Sequence, residues 1–284
     1  MKQHDPISGL HQIAEEFTGI LCDVWGVLHN GVSAFPEAIT ALETYRKHYG
    51  RPVVLITNAP RPAHEIAAHL QRMGVPESCY DSIVSSGDVV QADLRELEGA
   101  RVYHIGPQKN HGLFHGVNFE FVGPEAADVI VCSGLNDRET EEPEDYRDHF
   151  EELLKLDLTL ICANPDIVAE QGDKLVWCGG ALAKLYEEMG GHVVITGKPF
   201  HPIYDLARSK LNAHAGKMLD RSEILAIGDG IPTDIKGAYT QGISALFLTD
   251  GIHAAELADN FDAVRPTLQA EGLETHSFMG RLNW

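Results

Sequence analysis

The sequence predicts an α/β protein with a Rossmann-like, doubly wound parallel sheet as its core and an inserted α/β cap domain. Short apolar runs alternate with segments of helical periodicity, which is typical of strands that cross over through helices into a parallel sheet. At 284 residues and 44% hydrophobic content, the chain is long enough for two packed cores. We expect residues 1–86 and 197–284 to form the core domain, and residues 87–196 to form the cap.

The core elements follow in chain order. Pro36 and Gly50 are placed to begin and end a helix after the first strand, and Pro62 and Gly74 do the same after the second. A further helix is expected to begin near Thr233, between the last two strands. The late strands can therefore rejoin the early ones in one sheet. The four apolar runs that predict these strands are residues 19–28, 53–56, 223–230 and 244–248.

The cap segment repeats the same alternation. A helical stretch is expected within residues 139–155, and the acidic segment 136–148 is interpreted as a solvated helix face or loop. Together these elements are enough for a second α/β domain. The runs that predict its strands are 101–105, 127–134, 158–166, 174–180 and 192–196.

Composition excludes several classes of function. No apolar run approaches the roughly 20 residues of a membrane span, and the first ten residues lack a secretory pattern, so we expect a cytoplasmic protein without a membrane partner. The net charge of -20 argues against nucleic acid as a partner. Five widely separated cysteines are interpreted as reduced core residues, and their spacing argues against structural zinc.

Six polar residues follow the predicted strands directly or within a few positions: Asp23, Thr57, Asn58, Lys198, Asp229 and Asp234. In a doubly wound sheet the ligand crevice lies at the carboxyl ends of the strands. Asp23, Asp229 and Asp234 together suit Mg²⁺, which prefers oxygen ligands, and which relieves the repulsion between a carboxylate nucleophile and phosphate. Thr57 and Lys198 would contact the phosphoryl oxygens. A single aspartate after a strand is more often a cap or turn residue, but the joint pattern favours chemistry.

In this order the motifs resemble those of the haloacid dehalogenase superfamily, in the class IIA branch with a large α/β cap. The resemblance implies that Asp23 in CDVWGVLHNG is the nucleophile and that Thr57 in LITNAPRP is the second motif. It implies that Lys198 in TGKPF is the third motif, and that Asp229 and Asp234 in IGDGIPTDIKGA are the acidic pair. It covers residues 23–242, and the branch inserts its cap between the second and third motifs.

One position departs from the family pattern. Hydrolases of this family usually carry a second aspartate two residues after the nucleophile, where this chain has Trp25. The resemblance implies a metal contact through the Trp25 backbone carbonyl, which survives the replacement, whereas the general acid is missing. General acids typically contribute about 10²–10⁴-fold in rate. His29 is a possible replacement acid, although a solvent-facing histidine is the more common interpretation.

Asn164, Pro165 and Asp166 resemble the family's Asn-Pro-Asp segment at the edge between cap and core. This implies that Asp166 lies near the site, although the same residues would also make an ordinary turn. Other motifs do not fit. The Gly-Lys at 197–198 has the wrong spacing for a P-loop, and neither a GxGxxG nor a GxSxG motif is present.

The sequence therefore predicts a magnesium-dependent phosphatase that acts on a small phosphorylated metabolite through an aspartyl-phosphate intermediate. Two alternatives stay open because of Trp25 and the shared chemistry of the aspartate. One is a catalytically weakened protein that binds a phosphorylated ligand as a sensor or partner module. The other is a phosphotransferase that uses the same aspartate.

Overall fold

The structure is a computed structural model that describes residues 6–97, 99–172, 174–258 and 260–284. The strands in this part of the chain are β1 (Gly19–Cys22), β2 (Val53–Thr57), β3 (Ser82–Ser85), β4 (Ala100–Ile105), β5 (Phe119–Phe121), β6 (Val129–Cys132), β7 (Leu160–Cys162), β8 (Val168–Gln171), β9 (Lys174–Trp177), β10 (Val193–Ile195), β11 (Ile224–Gly228), β12 (Ser244–Leu248) and β13 (Ser277–Met279). The α-helices are α1 (Pro36–Tyr49), α2 (Ala63–Arg72), α3 (Ser86–Glu96), α4 (Arg147–Leu154), α5 (Gly179–Glu188), α6 (His201–Ala215), α7 (Lys236–Gln241), α8 (Ala254–Leu257) and α9 (Phe261–Ala270).

The larger sheet is parallel throughout, in the order β13-β12-β11-β1-β2-β3. Alternate residues of its central strand point to opposite faces. Ile20 and Cys22 pack with the apolar residues of α1 and α2, whereas Leu21 packs with those of α6, α7 and α9. Helices therefore cover both faces, and the late strands join the early ones as predicted.

Local sequence signals account for the helix ends. Pro36 occupies the first turn of α1, where its missing N–H costs no hydrogen bond, and Gly50 ends the helix in the left-handed conformation with φ of 63°. Pro62 directly precedes α2. The strand predicted at residues 244–248 is observed without change as β12.

Three predicted elements are corrected. The first apolar run forms a strand only as far as Cys22, because the chain then turns back and the Leu28 amide donates to the Val24 carbonyl. The helix expected near Thr233 begins as one π-helical turn, Ile231–Ile235, and continues as α7. The helical stretch expected at 139–155 is α-helical only in α4.

The smaller sheet is also parallel, in the order β10-β7-β6-β4-β5. Phe150 of α4 and Tyr186 of α5 pack on one face, and Leu94 of α3 and Phe114 pack on the other. The run at 174–180 was expected to continue this sheet. Instead, β9 pairs antiparallel with β8 in a separate hairpin.

Helix α3 contacts both sheets. Its Val89 belongs to the apolar cluster of the larger sheet, and its Val90 and Leu94 belong to that of the smaller one. Helix α3 begins at Ser86, next to the predicted domain boundary, which stays a prediction. The chain returns to the larger sheet beside the same point, where the Ser86 and Thr196 hydroxyl oxygens lie 3.4 Å apart.

All five cysteines are buried and form no disulfide, as the sequence predicted. Burial raises the pKa of the Cys132 and Cys178 thiols to about 12, so both remain protonated at neutral pH and act as small apolar groups. Across the part of the chain that the structure describes, no helix is both long enough and apolar enough to cross a bilayer.

Candidate active site

Sheet topology brings the predicted site residues together. Asp23 directly follows β1, Thr57 is the last residue of β2, and Asp229 directly follows β11. These three strands are adjacent and parallel, so their carboxyl ends meet at one edge of the sheet. All six predicted residues are buried, with at most 6% of any of them exposed.

Lys198 links two of the carboxylates. Its Nζ donates hydrogen bonds of 2.7 Å to Oδ1 of Asp23 and of 2.7 Å to Oδ1 of Asp234. Both ion pairs are buried, where loss of one partner costs far more than at a surface. Lys198 thus ties the end of β1 to the π-helical turn that carries Asp234.

Asn58 holds the backbone of Lys198 in place. The Lys198 amide donates to Asn58 Oδ1 at 2.7 Å, and Asn58 Nδ2 donates to the Lys198 carbonyl at 3.3 Å. Gly197 is required beside it, because a Cβ there would lie 2.5 Å from Asn58 Oδ1. The predicted phosphate-binding residue Asn58 therefore has a positioning role in this structure.

Asp166 extends the same network to the smaller sheet. Asn58 Nδ2 donates to Asp166 Oδ1 at 2.8 Å. Burial raises the pKa of this carboxyl, and Lys198 partly opposes the shift. The Asn-Pro-Asp segment therefore lies beside the site, as the resemblance implied.

Asp229 and Asp234 are held by backbone amides. Ile252 N donates to Asp229 Oδ2 at 2.8 Å, and Gly230 N donates to Asp234 Oδ2 at 3.0 Å. One ligand oxygen from each of Asp23, Asp229 and Asp234 lies within 4.8 Å of the others. Close backbone approach makes this possible, because a Cβ on Gly26 would lie 2.0 Å from Asp229 Oδ2.

The site carries more negative than positive charge. Burial and then the charge of Asp234 raise the pKa of Asp23 well above its ordinary value, although Lys198 opposes the shift. The same two causes raise the pKa of Asp229 to about 7. Burial disfavours the charge on Lys198, but Asp23 and Asp234 prevail, so its pKa rises and it remains a cation.

A divalent cation fits this donor set. Three buried carboxylates face one lysine, and the oxygens lie close enough to share an ion. Oxygen donors are the ligands that Mg²⁺ prefers. A cation of charge two would balance the cluster, and this is consistent with the raised pKa values of Asp23 and Asp229 in its absence.

A cavity of about 370 Å³ opens beside the carboxylates, between the two sheets. Val24, Trp25 and Thr57 line it from the larger sheet. The indole of Trp25 packs against Gly31, where a Cβ would lie 2.5 Å from its ring, and contacts the His29 ring edge-on at 4.8 Å between centroids. Trp25 is therefore part of the cavity wall. The metal contact of its carbonyl stays a prediction.

His29 corrects the interpretation of a solvent-facing histidine. It is only 1% exposed, and Gly31 N donates to its Nδ1 at 2.9 Å. Burial, and then the charge of His69, lower the pKa of His29 to about 4. The ring is therefore neutral at physiological pH and is not an imidazolium proton donor.

Sequence reasoning missed three basic residues that line the cavity, namely Arg61, Lys109 and Arg138. Arg61 lies within the LITNAPRP segment of the second motif, Lys109 in a 3-10 helix after β4, and Arg138 in the loop after β6. Nothing in the sequence distinguishes them among its 22 lysines and arginines. The acidic segment that includes Arg138 is an exposed loop at Asp137 and Glu139, as predicted, but the arginine is half-buried.

The chain is similar to known proteins along most of its length. Residues 20–120 match the family described as haloacid dehalogenase-like hydrolase, and residues 195–275 match one described as HAD-hydrolase-like. A crystal structure of a hydrolase of the haloacid dehalogenase-like family from Brucella suis is 39% identical, with a TM-score of 0.89 and coverage of 97% of this chain and 99% of that one.

Two curated relatives carry more specific names. The ribonucleotide monophosphatase NagD of Escherichia coli is 26% identical over 85% of this chain and 91% of its own length. The 5'-nucleotidase YutF of Bacillus subtilis is 26% identical over 90% of this chain and 96% of its own length.

We expect Gly26→Ala to damage the carboxylate cluster. Gly26 and Gly116 both have φ of 72°, but a Cβ on Gly116 would meet nothing within 4 Å. Gly26→Ala and Gly116→Ala should both lose about 1–2 kcal/mol of unfolding free energy, because alanine is strained in the left-handed conformation. Gly26→Ala should lose about 1–3 kcal/mol more through its contact with Asp229. Denaturant titrations measure both losses. Equal free energies of unfolding for Gly26→Ala and Gly116→Ala would show that the contact with Asp229 is relieved at no cost.

Asp229→Asn should stabilise the metal-free protein in a pH-dependent way. The folded pKa of about 7 exceeds the unfolded value of about 3.9. The contribution of Asp229 to the free energy of unfolding is therefore fully present below about pH 4, and it is lost as the pH rises through 7. In excess chelator, the free energy of unfolding of the variant should therefore increase relative to that of the wild type as the pH is raised from about 5 to about 8. Urea titrations measure this. The exposed Asp205→Asn is the control, and a variant less stable than the wild type at about pH 8 would contradict the expected repulsion.

Proposed function

The chain belongs to the haloacid dehalogenase-like hydrolase family, and on that premise we propose that it is a magnesium-dependent phosphatase of small phosphorylated metabolites, with Asp23 as its nucleophile. The observation that carries the proposal is the buried cluster of Asp23, Asp229 and Asp234 with Lys198. The neighbouring residues Val24 and Thr57 line the cavity. Relatives named as phosphatases of nucleotides and of glycerol 3-phosphate support a phosphate monoester as the substrate class.

Asp23, Asp229, Asp234 and the Trp25 carbonyl would hold the magnesium ion. When bound, the ion supplies positive charge that offsets the repulsion between the carboxylates and a phosphate group. Lys198 adds a fixed cation at the same place, because its Nζ lies 2.7 Å from Asp23 Oδ1. The oxyanion charge of a phosphoryl group would then be met by a preorganised electrostatic environment.

In the first step, a carboxylate oxygen of Asp23 attacks phosphorus and the bond from phosphorus to the ester oxygen breaks. Lys198 donates to Oδ1 of Asp23 and so fixes the orientation of the carboxylate. The Thr57 hydroxyl, which accepts from Ala59 N at 3.3 Å, lines the cavity beside it and would donate to a phosphoryl oxygen. The products of this step are the aspartyl phosphate and the leaving-group oxyanion.

In the second step, water attacks the phosphorus of the aspartyl phosphate. The bond from phosphorus to the Asp23 oxygen breaks, so the carboxylate and inorganic phosphate are released and the proton of the water passes to solvent or product. Wall residues such as Trp25 limit the entry of other acceptors, which favours hydrolysis over transfer.

Trp25 restricts the leaving group. An indole cannot protonate an ester oxygen, and the neutral His29 beside it is no better. Leaving groups of low pKa, which depart as oxyanions without being protonated, are therefore favoured. Asp166 is the carboxyl that lines the cavity with a raised pKa, which makes it the alternative donor.

Activity itself is tested by Asp23→Asn. With magnesium, the wild type should release phosphate from members of a panel of mononucleotides, sugar phosphates, pyridoxal phosphate and aryl phosphates. The variant should lose at least about 10³-fold in kcat, because the nucleophile is gone. Magnesium with beryllium fluoride should raise the Tm of the wild type alone. Asp205→Asn, with an exposed carboxylate, is the matched control. Full activity in Asp23→Asn would remove the aspartyl-phosphate mechanism.

The rate should depend steeply on the acidity of the leaving group. We expect aryl and acyl phosphates to be hydrolysed, and alkyl phosphates to be slower by about 10²–10⁴-fold, because neither Trp25 nor His29 donates a proton to the leaving group. Trp25→Asp should reduce this dependence, provided that the cavity left by the indole is tolerated. A series of phosphate esters with graded leaving-group pKa measures it. If the rate of the wild type does not depend on the leaving-group pKa and the rate of Asp166→Asn does, Asp166 is the acid.

A further inference from the structure

We propose that the cavity contains a second anion-binding subsite, formed by Arg61, Lys109 and Arg138, and that the preferred substrates are phosphate esters whose leaving group carries a second anionic group. This rests on the proposed phosphatase function and names its substrate class. The second group is a carboxylate or a phosphate, since both offer the oxygen acceptors that arginine recognises.

The three cations converge on one wall of the cavity from different parts of the fold. Arg61 comes from the loop after β2, Lys109 from the segment after β4, and Arg138 from the loop after β6. Arg61 is held across the gap between the sheets, because its Nε donates to Asn110 Oδ1 at 3.4 Å. Asn110 is itself fixed by hydrogen bonds of 3.2 Å to the Ser133 carbonyl and of 3.2 Å to the Ser133 hydroxyl. The subsite therefore depends on Arg61, which these contacts fix, and on the half-buried Arg138, while Lys109 is exposed and adds positive charge beside them.

In the described ranges 6–97, 99–172, 174–258 and 260–284, no carboxylate lies within 4.0 Å of the charged nitrogens of Arg61, Lys109 or Arg138, so none of the three forms an ion pair there. Partial burial lowers the pKa of Lys109, and the charges of Arg138 and Arg61 lower it further, whereas the charges of Glu139 and Asp137 oppose the shift. Burial and Arg138 also lower the pKa of Arg61, which the nearby Glu65 opposes. An anion bound among them would relieve this repulsion.

The acids along the cavity are engaged elsewhere or open to solvent. Asp137 accepts from Glu139 N at 3.0 Å and from Thr140 Oγ1 at 2.9 Å, so it stabilises its own loop. Asp166 accepts from Asn58. Glu139 is exposed. None of these arrangements neutralises the three cations at close range.

The net charge of the chain favours a local cationic subsite for any substrate with two anionic groups. The chain has a net charge of -20, which repels a substrate with two anionic groups. Lys198 is already shared between two carboxylates and cannot serve both ends of the substrate. Binding of a second anion would thus depend on the unpaired cations of the cavity wall.

The test compares aryl phosphates that differ only in one ring substituent. With 3- and 4-carboxyphenyl phosphates, kcat/KM should exceed that of the matching carbamoylphenyl phosphates, which have the same shape without the charge, by about tenfold or more. Phenylene bisphosphates form a third arm of the test. Whether kcat/KM is larger for the carboxyphenyl phosphates or for the bisphosphates shows whether the second group is a carboxylate or a phosphate.

Variants separate the subsite from the general field. Arg138→Met should bring the carboxy-to-carbamoyl ratio close to one, and Arg138→Lys should restore most of it. Arg221→Met removes an exposed cation from the 3-10 turn before β11, outside the cavity lining, and should leave the ratio unchanged. Ratios near one in the wild type for every ring position, or an equal loss in Arg221→Met, would overturn the subsite.

The inference and the proposed function fail separately. Should the wild type hydrolyse none of these compounds, the phosphatase proposal fails, and the same pairs are compared by calorimetric binding. Tighter binding of the charged member, lost in Arg138→Met, would still support the subsite, and equal Kd values would overturn it. Hydrolysis with no preference for charge would overturn the subsite while the phosphatase assignment stands.

Discussion

Lys198 donates to two buried carboxylates at once, and this ion-pair network sets the requirements for the surrounding structure. A lysine without partners at 2% exposure would lose its charge, and the carboxylates without it would repel one another. Among the residues that the structure describes, no cation donates a hydrogen bond to Asp229, whose carboxylate accepts from Ile252 N. This unbalanced negative charge destabilises the metal-free fold and is the charge that the proposed divalent cation would neutralise.

The position of Lys198 depends on both sheets. Its side chain reaches the edge of the larger sheet, whereas its backbone follows β10 of the smaller one and is held by Asn58. Asn58 in turn contacts Asp166 from the smaller sheet. A change in how the two sheets are arranged would therefore alter the geometry of the carboxylate cluster, which couples the cavity above the site to the charges below it.

The sequence predicted the parts of this site that follow from strand order. Asp23, Thr57 and Asp229 end or directly follow strands of one parallel sheet, and parallel strands bring such residues to one edge. It could not predict the burial of His29, because that depends on how the chain folds back after Cys22. It also missed the close approach of Gly26 to Asp229 and the convergence of Arg61, Lys109 and Arg138. These depend on loops whose positions are fixed by contacts between the two sheets.

The two crossings between the sheets have a consequence for how the chain can assemble. Because the Ser86 and Thr196 hydroxyls lie 3.4 Å apart, the long segment between them leaves and re-enters the larger sheet at nearly one point. The ends of this insertion lie side by side, and the packing of the insertion itself holds them together. The entropic cost of closing such a loop also grows only slowly with its length, so the insertion adds little to the cost of folding the larger sheet. The parallel sheet that carries the carboxylates can therefore form its register almost as if the chain were continuous from β3 to α6. Variation in the length or composition of the insert would reshape the cavity wall and leave the strand order of the larger sheet in place, provided that the contact between Asp166 and Asn58 is kept.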